Sequence, residues 1–145
     1  MNPRIRKLQC EDVDRIYDLG MNIPEFSAKD EFGHRFWPKS TLELFVKQGL
    51  SFVVEDERLV IGFLLAVYQP ITQKLTWENM YLAPSYQRRG LAEDCFQKSW
   101  EIAKNKGATI VEAIVASSNI PSQKMCKRLG FNNAGDYQWM LKWRD

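Results

Sequence analysis

Hydrophobic positions along the chain follow two periods, one typical of strands and one typical of helices. Short apolar runs bounded by turn residues predict strands over residues 4–8, 51–55, 59–68, 74–82 and 109–116, with one or two final strands within 131–143. Apolar residues three or four positions apart predict helices over residues 12–19, 40–48, 91–106 and 121–129. The order β-α-α-β-β-β-α-β-α-β(-β) predicts an α/β fold with a mixed sheet.

Turn and capping residues predict where the helices begin and end. Gly20 follows the first helix as a stop signal, and a capping-box pattern from Ser40 to Glu43 opens the second. Gly49 and Gly107 suit the ends of the second and third helices because glycine adopts the left-handed conformation readily. Pro121 suits the first turn of the last helix.

Length and composition predict one soluble domain over residues 1–145, with 45% hydrophobic residues and a net charge of +2. That charge is too small to indicate a nucleic-acid or membrane partner, and the first residues lack the apolar stretch of a secretory signal. Three scattered cysteines and one histidine form no metal-ligand pattern. We therefore expect a cytoplasmic protein without disulfides or a metal, either monomeric or homodimeric.

The most informative segment follows the strand that ends at Leu82. A turn containing Pro84 leads into Gln87-Arg88-Arg89-Gly90-Leu91-Ala92, where the third helix begins. A helix N-terminus carries amides without intrahelical acceptors and the positive pole of the helix dipole, so it binds anions such as phosphate. The segment matches neither the P-loop nor the G-x-G-x-x-G pattern. It predicts a phosphate-binding turn of another kind.

Residues 87–92 resemble the pyrophosphate-binding motif [R/Q]-x-x-G-x-[G/A] of the GNAT superfamily of N-acetyltransferases, with its lead-in Leu82-x-Pro84-x-Tyr86. A second segment, Asn119 to Phe131, is similar to the family pattern N-x-x-A-x-x-[hydrophobic]-Y-x-x-x-G-F. There Ser122 replaces the usual alanine and Cys126 the usual tyrosine. The predicted element order is also that of the family, which implies a mostly antiparallel central sheet flanked by helices.

The resemblance implies acetyl-CoA as cosubstrate and no metal. It places the pantetheine arm in a wedge between the fourth and fifth strands, bound much like an added strand and also contacted by Asn119. The implied cofactor-binding residues are Met80, Tyr81 and Leu82 on the strand, Gln87, Arg88, Arg89, Gly90, Leu91, Ala92 and Glu93 at the turn, and Asn119.

Glu78 is the candidate general base. An alkylamine is mostly protonated near neutral pH and must lose a proton before it attacks a thioester. Glu78 lies on the fourth strand, where many family members place a catalytic glutamate, and desolvation beside Trp77 would raise its pKa. The amide of Leu82 is the positional candidate for stabilising the oxyanion. The alternative is that Glu78 is an ordinary exposed strand residue.

Cys126 occupies the position of the family's usual tyrosine general acid, and several interpretations stay open. Its thiol can donate a proton, Tyr81 or Tyr137 can take its place, or the leaving thiolate can be protonated by water. Cys126 can also be a small buried hydrophobic residue. A covalent acetyl-cysteine intermediate is the least favoured alternative.

The predicted function is acetyl transfer from acetyl-CoA to a primary amine, either a small molecule or a protein or peptide N-terminus, by direct attack in a ternary complex. The alternatives are a non-catalytic acyl-CoA-binding or sensor module and an interaction domain. In this family the acceptor lies between the first helices and the last strands. The candidate residues there, which can equally be core and surface residues, are Glu25, Phe26, Asp30, Glu31, His34, Phe36, Trp37, Tyr137 and Trp139.

Overall fold

The computed structural model describes residues 1–26, 36–142 and 144. They form two compact units, Met1–Ile114 and Val115–Asp145. The first unit contains β1 (Arg4–Lys7), α1 (Val13–Met21), α2 (Lys39–Gln48), β2 (Phe52–Asp56), β3 (Leu59–Gln69), β4 (Lys74–Leu82), α3 (Leu91–Asn105) and β5 (Ile110–Ala113). It also has short 3-10 turns at Cys10–Asp12, Pro24–Phe26 and Pro84–Tyr86, and the second unit contains α4 (Ile120–Arg128).

The five strands form one sheet in the order β1-β2-β3-β4-β5. The first four are antiparallel to their neighbours, whereas β5 runs parallel to β4. Parallel neighbours need a crossover connection, and α3 provides it between β4 and β5. The predicted mixed, mostly antiparallel sheet is confirmed.

Two hydrophobic clusters lie on opposite faces of the sheet because alternate residues of β3 point in opposite directions. Phe63 and Leu65 of β3 pack with residues of α1 and α2, including Ile16 and Leu42. Ala66 belongs to a second cluster with buried residues of β4 and α3. Strand β3 is therefore buried on both faces, which explains its almost continuous apolar sequence.

Two of the predicted helix boundaries are wrong. Helix α1 continues through Gly20 to Met21. This glycine makes room for a neighbour, since a Cβ there would lie 2.2 Å from the ring of Phe36. Helix α2 begins at Lys39 after Pro38, without a side-chain cap, so the pattern from Ser40 does not form the capping box. Gly49 does end α2 with a φ of 73°.

The second unit differs from the prediction after α4. The helix begins next to Pro121, as expected, and Asn119 Oδ1 accepts a hydrogen bond from the amide of Ser122 at 3.2 Å. The predicted final strand or strands are absent from residues 131–142, and Trp143 lies outside the described residues. A strand needs a paired neighbour and a buried face, but the side chains of Tyr137 and Trp139 stay exposed here.

Replacement of Ile16 by alanine should destabilise the protein by about 2–5 kcal/mol, because the side chain is fully buried and its removal leaves a cavity. Ile71→Ala is the matched control, since Ile71 is 99% exposed and its loss should change the free energy of unfolding by less than about 0.5 kcal/mol. Urea unfolding measures both values. Equal midpoints for the two variants would contradict the assignment of Ile16 to the core.

Candidate active site

Glu78 lies in a β-bulge of β4. Leu65 of β3 pairs with Asn79 and the next residue, Ala66, pairs with Trp77, so Glu78 is the extra residue opposite the register shift. A bulge bends a strand and re-aims a side chain, and bulges are common beside active sites. The sequence predicted this strand with the correct bounds, but nothing in its pattern indicated the bulge.

Strand β4 also leaves β5 at this point. The parallel ladder ends with the pair Trp77 and Ala113, whereas pairing with β3 continues as far as Leu82. Residues 78–82 of β4 therefore have a strand neighbour on one side only, among the strand pairings of the described residues. Such an edge can accept an extended ligand through main-chain hydrogen bonds. Met80, Tyr81 and Leu82, the strand residues predicted to bind the pantetheine arm, lie along this edge.

The carboxyl group of Glu78 is less acidic than that of an ordinary glutamate. The residue as a whole is solvent-exposed, but partial burial of the carboxyl raises its pKa, and the like charge of Glu112 raises it further. Glu112 is held on β5 by Lys74 Nζ at 3.2 Å and by the Thr76 hydroxyl at 3.3 Å. A raised pKa brings a carboxylate closer to the range that a general base needs near neutral pH.

Asn79, which sequence reasoning missed, follows Glu78 directly. Its Oδ1 accepts a hydrogen bond from the Trp37 indole at 2.7 Å. Trp37 was considered only as a residue of the acceptor region, and the structure instead joins it to β4. No local pattern in the sequence could predict this contact, because the two residues are 42 positions apart.

The turn before α3 has two residues with positive φ, Arg88 at 63° and Gly90 at 79°. Such a conformation is unfavourable for arginine, and strained residues of this kind gather at functional sites. Gly90 is the N-cap of α3 and provides no side-chain cap. The first turn of α3 includes Leu91, Ala92 and Glu93. It directly follows an exposed, basic loop that contains Arg89. This geometry suits a bound phosphate.

Two side chains tie this turn to the sheet. Gln87 donates from Nε2 to the carbonyl oxygen of Leu82 at 2.8 Å. The Tyr86 hydroxyl donates to the carboxylate of Asp56, and this hydrogen bond lowers the pKa of Asp56 and raises that of Tyr86. Gln87 was predicted to bind the cofactor, and in the structure its side-chain amide closes the turn.

The remaining predicted site residues, Asn119 and Cys126, belong to the second unit. Asn119 uses its Oδ1 to cap α4, so a binding role would fall to its other polar groups. Cys126 is half-buried in α4, and burial raises the pKa of its thiol. The thiol is therefore protonated at neutral pH, which suits a proton donor and does not suit a thiolate nucleophile.

The predicted acceptor residues are only partly accounted for. Phe26 and Phe36 stack with ring centroids 5.8 Å apart and pack against Phe63, so they contribute to the core. Tyr137 and Trp139 are exposed, and Glu25 lies in a 3-10 turn. Asp30, Glu31 and His34 lie outside the described residues.

In the described part of the chain, no helix is both long enough and apolar enough to span a bilayer. The histidine, cysteine and acidic side chains of that part form no cluster of three or more that could hold a metal ion.

Comparison with known families identifies the class of protein that this fold and site define. The Acetyltransferase (GNAT) family matches residues 13–131, most of the chain. The chain therefore belongs to this family, as the resemblance predicted. It is an N-acetyltransferase and its cosubstrate is acetyl-CoA.

Individual relatives act on different amines. A Bacillus subtilis (strain 168) protein described as a candidate ribosomal protein bS18-alanine N-acetyltransferase is 24% identical over 132 residues, which cover 90% of this chain and 82% of that protein. The fold is also that of AAC(6')-Iy in complex with the bisubstrate analogue CoA-S-monomethyl-acetylneamine, with a TM-score of 0.74, 18% identity and coverage of 99% and 100%. The Escherichia coli ribosomal-protein-S18-alanine N-acetyltransferase has a TM-score of 0.67, 21% identity and coverage of 92% and 80%.

Gly90→Ala should weaken CoA binding about tenfold, because a left-handed alanine costs about 1–2 kcal/mol and the turn relaxes to avoid it. Gly49→Ala is the matched control, since Gly49 has a similar φ of 73° at the end of α2. It should lower stability comparably and leave CoA affinity unchanged. Isothermal titration calorimetry gives both dissociation constants. Unchanged affinity in Gly90→Ala would show that phosphate binding does not depend on this turn.

Proposed function

We propose that this protein transfers the acetyl group of acetyl-CoA to a primary amine, with Glu78 as the general base. The observation that carries the proposal is the bulge that places Glu78 where β4 leaves β5. The one-sided edge of β4 and the phosphate-binding turn lie on the same strand–turn–helix segment. An acyl donor with a long extended arm and a phosphate group fits this arrangement.

Two parts of the chain would bind acetyl-CoA, the strand β4 and the turn before α3. The main chain of Met80, Tyr81 and Leu82 would hold the extended arm. The turn from Gln87 to Glu93 would hold the pyrophosphate through backbone amides, with Arg88 and Arg89 adding positive charge. When bound, acetyl-CoA supplies an activated acetyl thioester. The Leu82 amide is the proposed donor to the oxygen that gains charge.

Glu78 would accept the proton that the acceptor amine loses. Its raised pKa makes the Glu78 carboxylate a stronger base than that of an ordinary glutamate. Cys126 is the proposed proton donor to the departing sulfur. This role is supported by its place in the family motif and by the raised pKa that keeps its thiol protonated.

The first acceptor that we propose is the α-amino group of a protein that begins with alanine, since the curated relative and one structural relative are described with this activity. The second is an aminoglycoside amine, favoured by the similarity of the whole chain to AAC(6')-Iy. An α-amino group has a pKa near 8 and loses its proton more easily than an alkylamine, so it needs less help from a base.

A direct test measures CoA release from acetyl-CoA with three acceptors: a peptide that begins with alanine, neamine, and spermidine as a polyamine. Turnover with the peptide alone would support the first proposal, and turnover with neamine alone would support the second. Absence of turnover with all three, from protein that binds CoA, would contradict the proposed acceptor classes.

Glu78→Gln should lower kcat at pH 7 by roughly 10²–10⁴-fold, the usual contribution of a general base. The wild-type rate should rise with pH through the raised pKa of Glu78, because only the ionised carboxylate accepts a proton. The variant should lose this acid limb and recover partly at high pH, where the amine is already neutral. Glu101→Gln, at an exposed position, is the control and should keep both the wild-type kcat and its pH dependence. An unchanged rate in Glu78→Gln would remove Glu78 from the mechanism.

Cys126→Ala should reduce kcat less than Glu78→Gln does, because water can protonate a leaving thiolate whose intrinsic pKa is near 8.5. Steady-state kinetics at saturating acetyl-CoA measures the two effects side by side. Cys10→Ala, at an exposed cysteine, should have no effect. Complete loss of turnover in Cys126→Ala with intact CoA binding would contradict the proposal that the thiol only assists.

A further inference from the structure

The hydrogen bond between Trp37 and Asn79 connects the segment before α2 to the residue after Glu78. The indole Nε1 lies 2.7 Å from Asn79 Oδ1, and both residues are half-buried. An indole has a single donor, and this bond uses it. At partly buried positions such a bond is costly to leave unmade.

Trp37 is itself firmly placed. Its ring meets the edge of Phe45 at a centroid distance of 5.7 Å, and Phe45 belongs to the core between the helices and the sheet. The preceding residue, Phe36, packs over Gly20 and against Phe63. Two successive aromatic residues thus hold this segment on the sheet, so the indole N–H is a fixed point for β4.

The bulge at Glu78 depends on contacts that hold β4 on either side of it. Glu78 has no partner in the ladder to β3, and β5 has already ended beside it. The position of Glu78 therefore depends on how its neighbours on β4 are held. Trp77 is buried and stacks on Phe96 of α3 with centroids 5.3 Å apart, and Asn79 is held from the opposite face by Trp37.

We propose that Trp37 and Asn79 are positioning residues that hold the bulge in one conformation and thereby aim the carboxylate of Glu78. This inference rests on the proposed role of Glu78 as the base. Neither residue donates or accepts the transferred proton. The effect of losing their hydrogen bond passes entirely through Glu78.

Trp37→Phe tests the bond, because phenylalanine keeps an aromatic ring against Phe45 and removes only the N–H donor and part of the ring. We expect kcat to fall about tenfold while the KM for acetyl-CoA stays unchanged, since small displacements of a catalytic group are costly. Asn79→Ala should give a similar loss, and the double variant should be no worse than either. Trp100→Phe, on α3 and packed against the other hydrophobic cluster, should keep the wild-type kcat.

The dependence on Glu78 is tested in the Glu78→Gln background. Trp37→Phe should have no further effect there, because the carboxylate that it positions is already gone. The acceptor is whichever of the alanine peptide, neamine and spermidine turns over fastest. Urea unfolding of each variant confirms that the protein is folded under assay conditions.

A second readout needs no acceptor and no acetyl-CoA. Carbon-13 NMR of protein with labelled glutamate carboxyls follows the titration of Glu78, whose signal is the one lost in Glu78→Gln. The like charge of Glu112 on β5, which pairs with Lys74, acts on this carboxyl, and the residues of β3 at the register shift are the apolar Leu65 and Ala66. Trp37→Phe leaves all of these residues in place. It should loosen the bulge and expose the carboxyl of Glu78 further to water, so the pKa of Glu78 should fall towards its ordinary value.

The outcomes separate the two proposals. If Glu78→Gln keeps the wild-type rate, the proposed role of Glu78 as the base fails. If none of the three amines turns over, the proposed acceptor classes fail. In both cases the NMR titration still decides whether Trp37 holds Glu78. If Glu78→Gln is impaired but Trp37→Phe has normal kcat and a normal Glu78 titration, only the positioning inference is overturned. Additive losses in the Trp37→Phe, Glu78→Gln variant would overturn it as well.

Discussion

The pairing of β3 with β4 is the constraint on which the rest of this structure depends. Strand β3 is buried on both faces and lies at the centre of the sheet, so β4 takes its register from it. The single extra residue in β4 then decides which side chains reach which face. Trp77 before the bulge packs towards α3, whereas Asn79 after it meets Trp37 before α2.

The same pairing shapes the edge of β4 that is proposed to bind the cosubstrate. Gly62 lies opposite Leu82, and a Cβ on it would come within 2.7 Å of the carbonyl oxygen of Tyr81, so only glycine lets the strands approach so closely there. From Leu82 the chain enters the turn that Gln87 and Tyr86 tie back to the sheet. The strained backbone at Arg88 is thus supported by a rigid scaffold, as catalytic and binding loops generally are.

Sequence reasoning succeeded where local chemistry decides the structure. The bounds of β4 followed from its apolar pattern and flanking turns, and Gly49 ended α2 as expected because its left-handed conformation is a local requirement. It failed where a distant neighbour decides. Gly20 lies inside α1, where the ring of Phe36 covers it, and no local rule predicts this contact.

The candidate site divides in the same way. The motif from Gln87 to Ala92 could be recognised in the sequence because the proposed phosphate-binding turn uses consecutive residues. The sequence by itself thus determined the class of protein, the cosubstrate and the candidate base. Only the tertiary structure decided that Glu78 lies in a bulge at the end of the β5 ladder and that Trp37 bonds to its neighbour Asn79. These features arise from strand register and from contacts between distant residues, which hydrophobic periodicity along one segment does not encode.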